Sequence, residues 1–595
     1  MCGIVGGFAV EPFACLDESG RLDRAIDSLA HRGPDDRGSL VAADRRAFLG
    51  HRRLSIIDLA GGHEPIPDES RRRHLVYNGE IYNYRALREE LLAGGHTFRT
   101  HTDAEVPLHL YEDRPDDFET RLAGMFAIAI LDEDAGRLTL VRDRNGIKPL
   151  YYHHDDRRLL FASELKAILA LLPRTPPLSP AALRQYLRWK YVPAPRTIYR
   201  DIFELPPGHR LLATRAAVRA HLESDVEVGA LLSGGVDSSL VVALASTVSG
   251  RRLKTFSVGF EEPGFDQLPA ARELARRYDT EHHETVVRID PLELVPKLAR
   301  QFDQPFADSS ALACYAVCQT ASRQVKVALT GDGGDETFAG YRRYADLLAA
   351  ADRDAAWRRW ANRAVFAGGS VLFSPEAKFL KRFRAAAHPP ARRYEMLEIT
   401  AGDWLIDRLL GPAGRCDSDD EALFRRLVRH GRSRGWSLFE AVQYADLKTY
   451  LPGDILRKVD RTSMACSLEC RVPLLDHTVT EFGARLPVGF KLRDGVGKYV
   501  LKRVAERYVP GELLYRKKRG FRVPIRRWFK RGLLDATGEL LLDGVLVDRG
   551  VLDPAGVRWV LRGQRRPWMN LSSTLWALLC LEHWARAYLD GPGRD

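Results

Sequence analysis

The sequence predicts two domains of different class. The first is an α+β domain with antiparallel sheets. The second is an α/β domain with a parallel sheet and a helical C-terminal part. Three observations predict this. At 595 residues the chain is too long for one hydrophobic core. Its first stretch, to about residue 210, breaks into many short strands separated by turns. From about residue 226 strands and helices alternate, which is the pattern that builds a parallel sheet covered by helices.

The elements follow in order. Strands are predicted at 39–41, 47–49, 74–77, 127–131 and 138–141, and helices near 21–30, 84–93 and 105–112. The Pro-rich stretch 171–177 marks a loop. Leu205-Pro206-Pro207-Gly208-His209 marks another, close to the domain boundary. Beyond it, 228–232, 255–260, 284–287 and 325–330 read as strands, and 238–248, 270–278 and 311–322 as helices. Residues 340–595 carry mostly helical patterns rich in Arg and Leu.

Composition narrows the class. Apolar content of 45% and charged content of 28% are ordinary for a soluble globular chain. The net charge of +11 is spread over Arg-rich faces, and the densest block is only Arg516-Lys517-Lys518-Arg519, so no nucleic-acid partner is expected. The eight cysteines are scattered. The i,i+4 pairs Cys314/Cys318 and Cys466/Cys470 lack companions at zinc spacing. Few cysteines in a long chain fit a reducing compartment. The start lacks a basic region followed by an apolar one, and the apolar stretch 575–581 is far short of a ~20-residue span. A cytoplasmic protein without a membrane partner is expected.

Cys2 follows the initiator in Met1-Cys2-Gly3-Ile4-Val5-Gly6. Loss of Met1 would give one residue both a thiol and an α-amine of pKa near ~8, a nucleophile with its own base. Read alone, a chance cysteine is the blander account. Ser233-Gly234-Gly235-Val236-Asp237-Ser238-Ser239 follows a strand and opens a helix, where backbone N–H groups favour oxyanions. It lacks the Gly-Lys-Ser/Thr of a Walker loop. It resembles the pyrophosphate-binding loop of ATP pyrophosphatases. Thr330-Gly331-Asp332-Gly333-Gly334-Asp335-Glu336 follows a later strand, so Asp237 and Asp335 should meet beyond the sheet's C-terminal edge. Two carboxylates facing a triphosphate need a hard cation, for which Mg²⁺ is the natural choice. Ser257-Val258-Gly259 would border the adenine. Charges also cluster at 451–476, where structural ion pairs are the plainer reading, and Lys498 alone reads as surface.

Taken together, these blocks resemble the glutamine-hydrolysing asparagine synthetase family over nearly the whole chain. Arg32-Gly33-Pro34-Asp35, Asn78-Gly79-Glu80-Ile81-Tyr82-Asn83, Arg142-Asp143-Arg144, Phe161-Ala162-Ser163-Glu164 and Leu575-Trp576-Ala577-Leu578 extend the likeness. The resemblance implies an N-terminal-nucleophile glutaminase sandwich over 2–212 and an ATP pyrophosphatase domain over 220–595. It implies that Cys2 attacks glutamine, with Asn78 and the Gly79 N–H as oxyanion donors. Asn-Gly is also the commonest tight-hairpin signal, and a turn could present both donors. Arg53 would pair with the glutamine carboxylate, helped by Leu54, Ser55, Ile56 and Ile57, with Glu80 and Asp103 at the amino end. ATP would lie against Leu232, Ser233, Gly234, Gly235, Asp237, Ser238, Ser239, Val258, Thr330 and Gly331, with Mg²⁺ on Asp237 and Asp335. Asp332, Glu469 and Lys498 would serve the synthetase chemistry, in which ammonia from an internal tunnel meets an adenylated carboxylate.

Aspartate is the first acceptor the resemblance suggests. A peptide or saccharide carboxylate, or a nucleotide-binding protein with impaired turnover, are the alternatives. A homodimer follows from the resemblance alone. One departure is that the segment 211–224 is short, with Glu227 in place of a usual Pro, which bears on how the domains pack and on whether the tunnel is sealed.

Overall fold

Strand β1 (Gly3–Ala9) carries Cys2 at its head and runs through the middle of a six-stranded antiparallel sheet. The computed structural model describes all residues except 1, 10, 14–19, 60, 156–157, 215–230, 233–234, 249–251, 261–267, 288, 416–422, 517–522 and 590–595. Most of the expected strand at 228–232, the larger part of the short segment 211–224, and Lys517 to Arg519 lie outside the described residues. The other strands of the first half are β2 (Asp36–Val41), β3 (Ala47–Arg53), β4 (Ile66–Pro67), β5 (Arg73–Ile81) and β6 (Gly124–Asp132). They continue with β7 (Arg137–Arg142), β8 (Tyr151–His154), β9 (Arg158–Ala162), β10 (Ile202–Glu204) and β11 (Arg210–Thr214). The first sheet has the order β10-β8-β9-β1-β3-β2 and the second β11-β7-β6-β5-β4.

Side chains alternate faces along a strand, and β1 shows the consequence. Ile4 and Phe8 turn into the core between the sheets with Leu49, Val76, Ala127 and Leu140. Val5 and Ala9 turn outward, under helices Arg21–Asp27 and Leu165–Leu171. Helices Tyr84–Ala93 and Glu105–Asp113 cover the outer face of the second sheet through Leu87, Leu91 and Leu108. The result is a four-layer sandwich with helices outside both sheets.

The structure corrects one expectation. Asn78 and Gly79 do not form a hairpin turn. They lie inside β5, in unbroken register with Ala127 and Phe126 of β6. Glycine is needed there because a Cβ would run into the Met125 carbonyl.

In the second half, β12 (Lys254–Phe260) pairs in parallel with β13 (Glu281–Val287), and β14 (Val327–Leu329) with β15 (Glu469–Arg471). Leu231 joins the two pairs. It bridges Phe256 in parallel and donates its N–H to the Leu329 carbonyl. Helices Val236–Val248, Leu268–Arg277 and Ser310–Ala321 connect the array, and the remainder of the chain is largely helical.

The two halves share a packed seam. Met125 and Ile147 of the first half pack with Leu451, Ile455, Met464, Val472 and Leu475 of the second. Around this apolar strip run buried ion pairs. Arg32 forks onto Asp460 at 2.9 and 3.1 Å, Arg457 pairs with Glu204, and Arg461 with Glu164. The charges at 451–476 are therefore mostly structural, and among the described residues the halves are firmly docked despite the short segment.

Candidate functional site

Cys2 is 8% exposed at the head of β1. Burial pushes its thiol above its ordinary value, while an N–H from Leu54 and the charge of Arg53 pull the other way. Its main-chain nitrogen donates to Asn78 Oδ1 at 3.1 Å. That bond fixes the amide so that Asn78 Nδ2 is buried without a hydrogen-bond partner among the described residues. A buried donor left unpaired is unfavourable by about 1–3 kcal/mol. Here it lies beside a nucleophile, on the strand that also presents Gly79, which is the arrangement an oxyanion needs.

Arg53 holds the loop beyond Leu54. Its terminal nitrogens donate to the carbonyls of Ile57 (2.9 Å), Asp58 (2.7 Å) and Gly61. The guanidinium predicted for a ligand carboxylate is thus largely engaged by backbone that carries Ile56 and Ile57. Ser55 is anchored by its N–H to Asp35 at 2.9 Å. Asp103 accepts from the Tyr77 hydroxyl and the Ile81 N–H, both at 2.8 Å, and so fixes the end of β5.

Glu80 is drawn to the seam rather than to the Cys2 side alone. It pairs with Arg471 of β15, which also holds Glu469. Burial and the Glu469 charge push Glu80 up to about 9, whereas Arg471 outweighs burial and holds Glu469 at about 2. Glu469 is 1% exposed and does not line the large cavity described below. Strand β15 turns it toward the first half.

Two residues beside Cys2 were missed by sequence reasoning. An imidazole nitrogen of His51, a carboxylate oxygen of Glu64 and the Cys2 sulfur lie within 4.8 Å of one another. His51 and Arg53 are two apart on β3 and so share a face, a signal that could have found His51. Burial pushes the His51 imidazole below its ordinary value and Glu64 up to about 8. The folded protein therefore holds a proton that the unfolded chain releases above 4.5, and this contribution to stability falls as pH rises from about 4.5 to about 8. Glu64→Gln should remove that slope, up to about 1.4 kcal/mol per pH unit, and be most stabilising near the top of the window. Urea midpoints measured across it check this, and parallel curves for the two proteins refute it.

The second site is a cavity of about 590 Å³ beyond the C-terminal edge of the parallel strands. Leu232, Gly235, Asp237, Ser238, Val258, Thr330, Gly331, Asp332, Asp335 and Lys498 all line it. Ser233 and Gly234 lie outside the described residues. Ser239 is buried behind the wall, because the next residue along a helix faces away. The sequence did not single out Tyr341, Arg342 and Lys458, which the fold brings to the same wall.

Lys498 bridges Asp237 and Asp335, reaching the latter at 2.8 Å. It is 4% exposed and has φ of 57°, a left-handed backbone rare for a side-chain-bearing residue. A Cβ on Gly340 would strike both Asp335 and the lysine stem, so that glycine makes room for the bridge. The paired carboxylates demand positive charge between them, and the ammonium provides it. Such a donor set fits a hard divalent cation. Burial pushes Asp332 above its ordinary value, against the pull of Lys458.

Residues 211–586 match the asparagine synthase family and residues 1–222 the glutamine amidotransferase domain. Asparagine synthetase [glutamine-hydrolyzing] 1 of Bacillus subtilis is 34% identical, covering 89% of this chain and 88% of its own. A putative asparagine synthetase [glutamine-hydrolyzing] of Mycobacterium tuberculosis is 32% identical over 99% of this chain and 98% of its own. The amidase chry2 of Gibberella zeae is 28% identical over 89% of each. Among the described residues no helix is long and apolar enough to cross a membrane. With an N-terminal-nucleophile amidotransferase fold docked on a synthase fold, the chain belongs to the glutamine-hydrolysing asparagine synthetase family and is built for glutamine-dependent amidation.

Proposed function

We propose that this enzyme makes asparagine from aspartate, drawing nitrogen from glutamine and energy from ATP with Mg²⁺. The observation that carries the glutamine half is the unpaired Asn78 Nδ2 beside Cys2. Cys2 attacks the side-chain amide, Asn78 and the Gly79 N–H receive the oxyanion, and ammonia leaves. The reading requires removal of Met1, so intact mass should fall short by one methionine.

Support for the second half is the Asp237–Lys498–Asp335 bridge on the wall of the large cavity. Asp237 and Asp335 would hold the metal that accompanies ATP, which supplies a leaving group to a carboxylate otherwise too poor an electrophile. Lys498, released from its bridge, turns its ammonium toward negative charge developing on the transferred phosphorus. Thr330, Gly331 and Ser238 orient the nucleotide through hydroxyl and backbone groups, and Val258 offers an apolar contact.

A screen of carboxylate acceptors for pyrophosphate release tests the proposal. Aspartate should give the largest response, with asparagine and AMP formed in equal amounts. A preferred peptide or saccharide acid would overturn aspartate while keeping the chemistry, and no pyrophosphate with any acceptor would overturn both. Lys498→Met should lower synthesis by about 10²–10³-fold, the range for loss of one transition-state donor, while glutamine hydrolysis persists.

A further inference from the structure

On the outer face of the second sheet four side chains converge from three segments. Glu69 comes from the β4–β5 turn and His96 from the loop after helix Tyr84–Ala93. His109 and Glu112 stand one turn apart on helix Glu105–Asp113. Nitrogen or oxygen atoms from all four lie within 4.8 Å of one another. We propose that these residues form a tetrahedral zinc site in the glutaminase half.

The distances suit the metal. Ligands about 2.0–2.1 Å from a tetrahedral zinc stand about 3.3–3.4 Å apart. His96 Nδ1 lies 3.3 Å from Glu112 Oε2 and 3.8 Å from Glu69 Oε1. His109 Nδ1 lies 3.6 Å from Glu69 Oε2 and 2.7 Å from Glu112 Oε2. Both imidazoles turn the same nitrogen, Nδ1, into the cluster. The shortest separation is a hydrogen bond that a metal would replace, with a shift of tenths of an ångström.

A second observation is independent of the four ligands. His96 points its other nitrogen at a carboxylate outside the set, with Nε2 3.1 Å from Asp113 Oδ1. Glu105 Oε1 stands 3.5 Å from His109 Nε2, which makes no hydrogen bond among the described residues. Glu105 is itself locked by the N–H groups of Arg99 and Thr100, both at 2.8 Å. Metal-bound histidines almost always carry such an outer carboxylate, which fixes the tautomer and raises ligand basicity. Glu69 is likewise aimed, with Oε1 accepting from the Thr97 N–H at 3.0 Å.

Burial and charge agree with this arrangement. His109 is 1% exposed and packs edge-on to Phe98 at 4.5 Å, so its ring cannot swing away. Glu69 stands at the solvent edge and leaves a path for entry. Four carboxylates surround the two rings, and the facing cations are few. Arg73 reaches Glu112 at 3.5 Å, and Arg88 stacks over Phe98. A divalent ion would offset the excess and would staple three segments that no disulfide joins. Mixed nitrogen and carboxylate donors at four positions suit zinc better than magnesium or calcium, which prefer oxygen.

The full-length protein, stripped with chelator, is dialysed against Zn²⁺ and then against metal-free buffer. About one zinc should remain per chain. His96→Gln and Glu112→Gln should each lower retention by at least about tenfold, and Asp113→Asn should weaken affinity by about 10–100-fold. Cys2→Ser should retain the metal, which separates this site from the Cys2, His51 and Glu64 group. Co²⁺ in place of zinc should give the intense visible bands of a four-coordinate ion, lost in His96→Gln. Circular dichroism of each variant guards against misfolding. Zinc retained equally by His96→Gln and Glu112→Gln, or no retention by the folded wild type, overturns the proposal.

Discussion

Cys2→Ala is expected to lower glutamine-driven amidation by about 10⁴-fold or more while ammonia-driven amidation stays within about twofold of wild type. The asymmetry follows from where the residue sits. The thiol is the only group of Cys2 that the substitution removes. Its main-chain nitrogen still meets Asn78, and its carbonyl still accepts from Arg32 Nε at 3.1 Å. The seam therefore stays intact, and Leu232 and Leu514 of the cavity wall pack in a core that holds no β1 residue. Supplying ammonium chloride bypasses the missing nucleophile. Survival of glutamine-driven turnover would remove Cys2 from the chemistry. Equal loss of both activities would mean that the residue acts on the whole molecule rather than on nitrogen release.

What the sequence made legible was local. The strand at 127–131, the helix-opening loop at Gly235 and the glycine-rich loop at Gly331 each declare themselves within a few residues, because strand propensity and turn chemistry are short-range properties. Asn78-Gly79 misled for the same reason. The dipeptide favours a turn, but pairing with β6 over nine residues overrides that preference. The seam was not legible at all. Arg471 sits 391 positions from Glu80, and Arg32 sits 428 from Asp460, so no local pattern pairs them. The zinc cluster is intermediate. His109 and Glu112 show helical spacing, but only the fold brings Glu69 and His96 to them.

Arg32→Met is expected to destabilise the protein by about 3–5 kcal/mol at pH 7, the range for removing one partner of a buried ion pair. Arg32 is fully buried, and it serves three acceptors at once: the Cys2 carbonyl, Glu164 at 2.8 Å and Asp460 at 2.9 Å. Glu164 keeps Arg461 and Lys166 after the change, but Asp460 loses its fork. In the wild type, burial pushes the Asp460 carboxyl up, and Arg32 outweighs it, so the net shift is downward. That contribution to stability is present above 3.8 and fades as pH falls through the depressed value. In the variant only the charges of Arg461 and Lys148 still oppose burial, so Asp460 is held ionised less strongly than in the wild type. The deficit relative to wild type should therefore shrink as pH is lowered through 3.8 towards the depressed value, where the wild type loses this contribution. Pairing Arg32→Met with Asp460→Leu should recover much of the loss at pH 7, since an apolar pair of similar volume leaves no charge behind. Urea unfolding of the four proteins of this cycle measures the coupling directly. A loss under about 1 kcal/mol for Arg32→Met, or no recovery in the double variant, would mean that the apolar strip around Met125 and Leu475 holds the halves together without help from these charges.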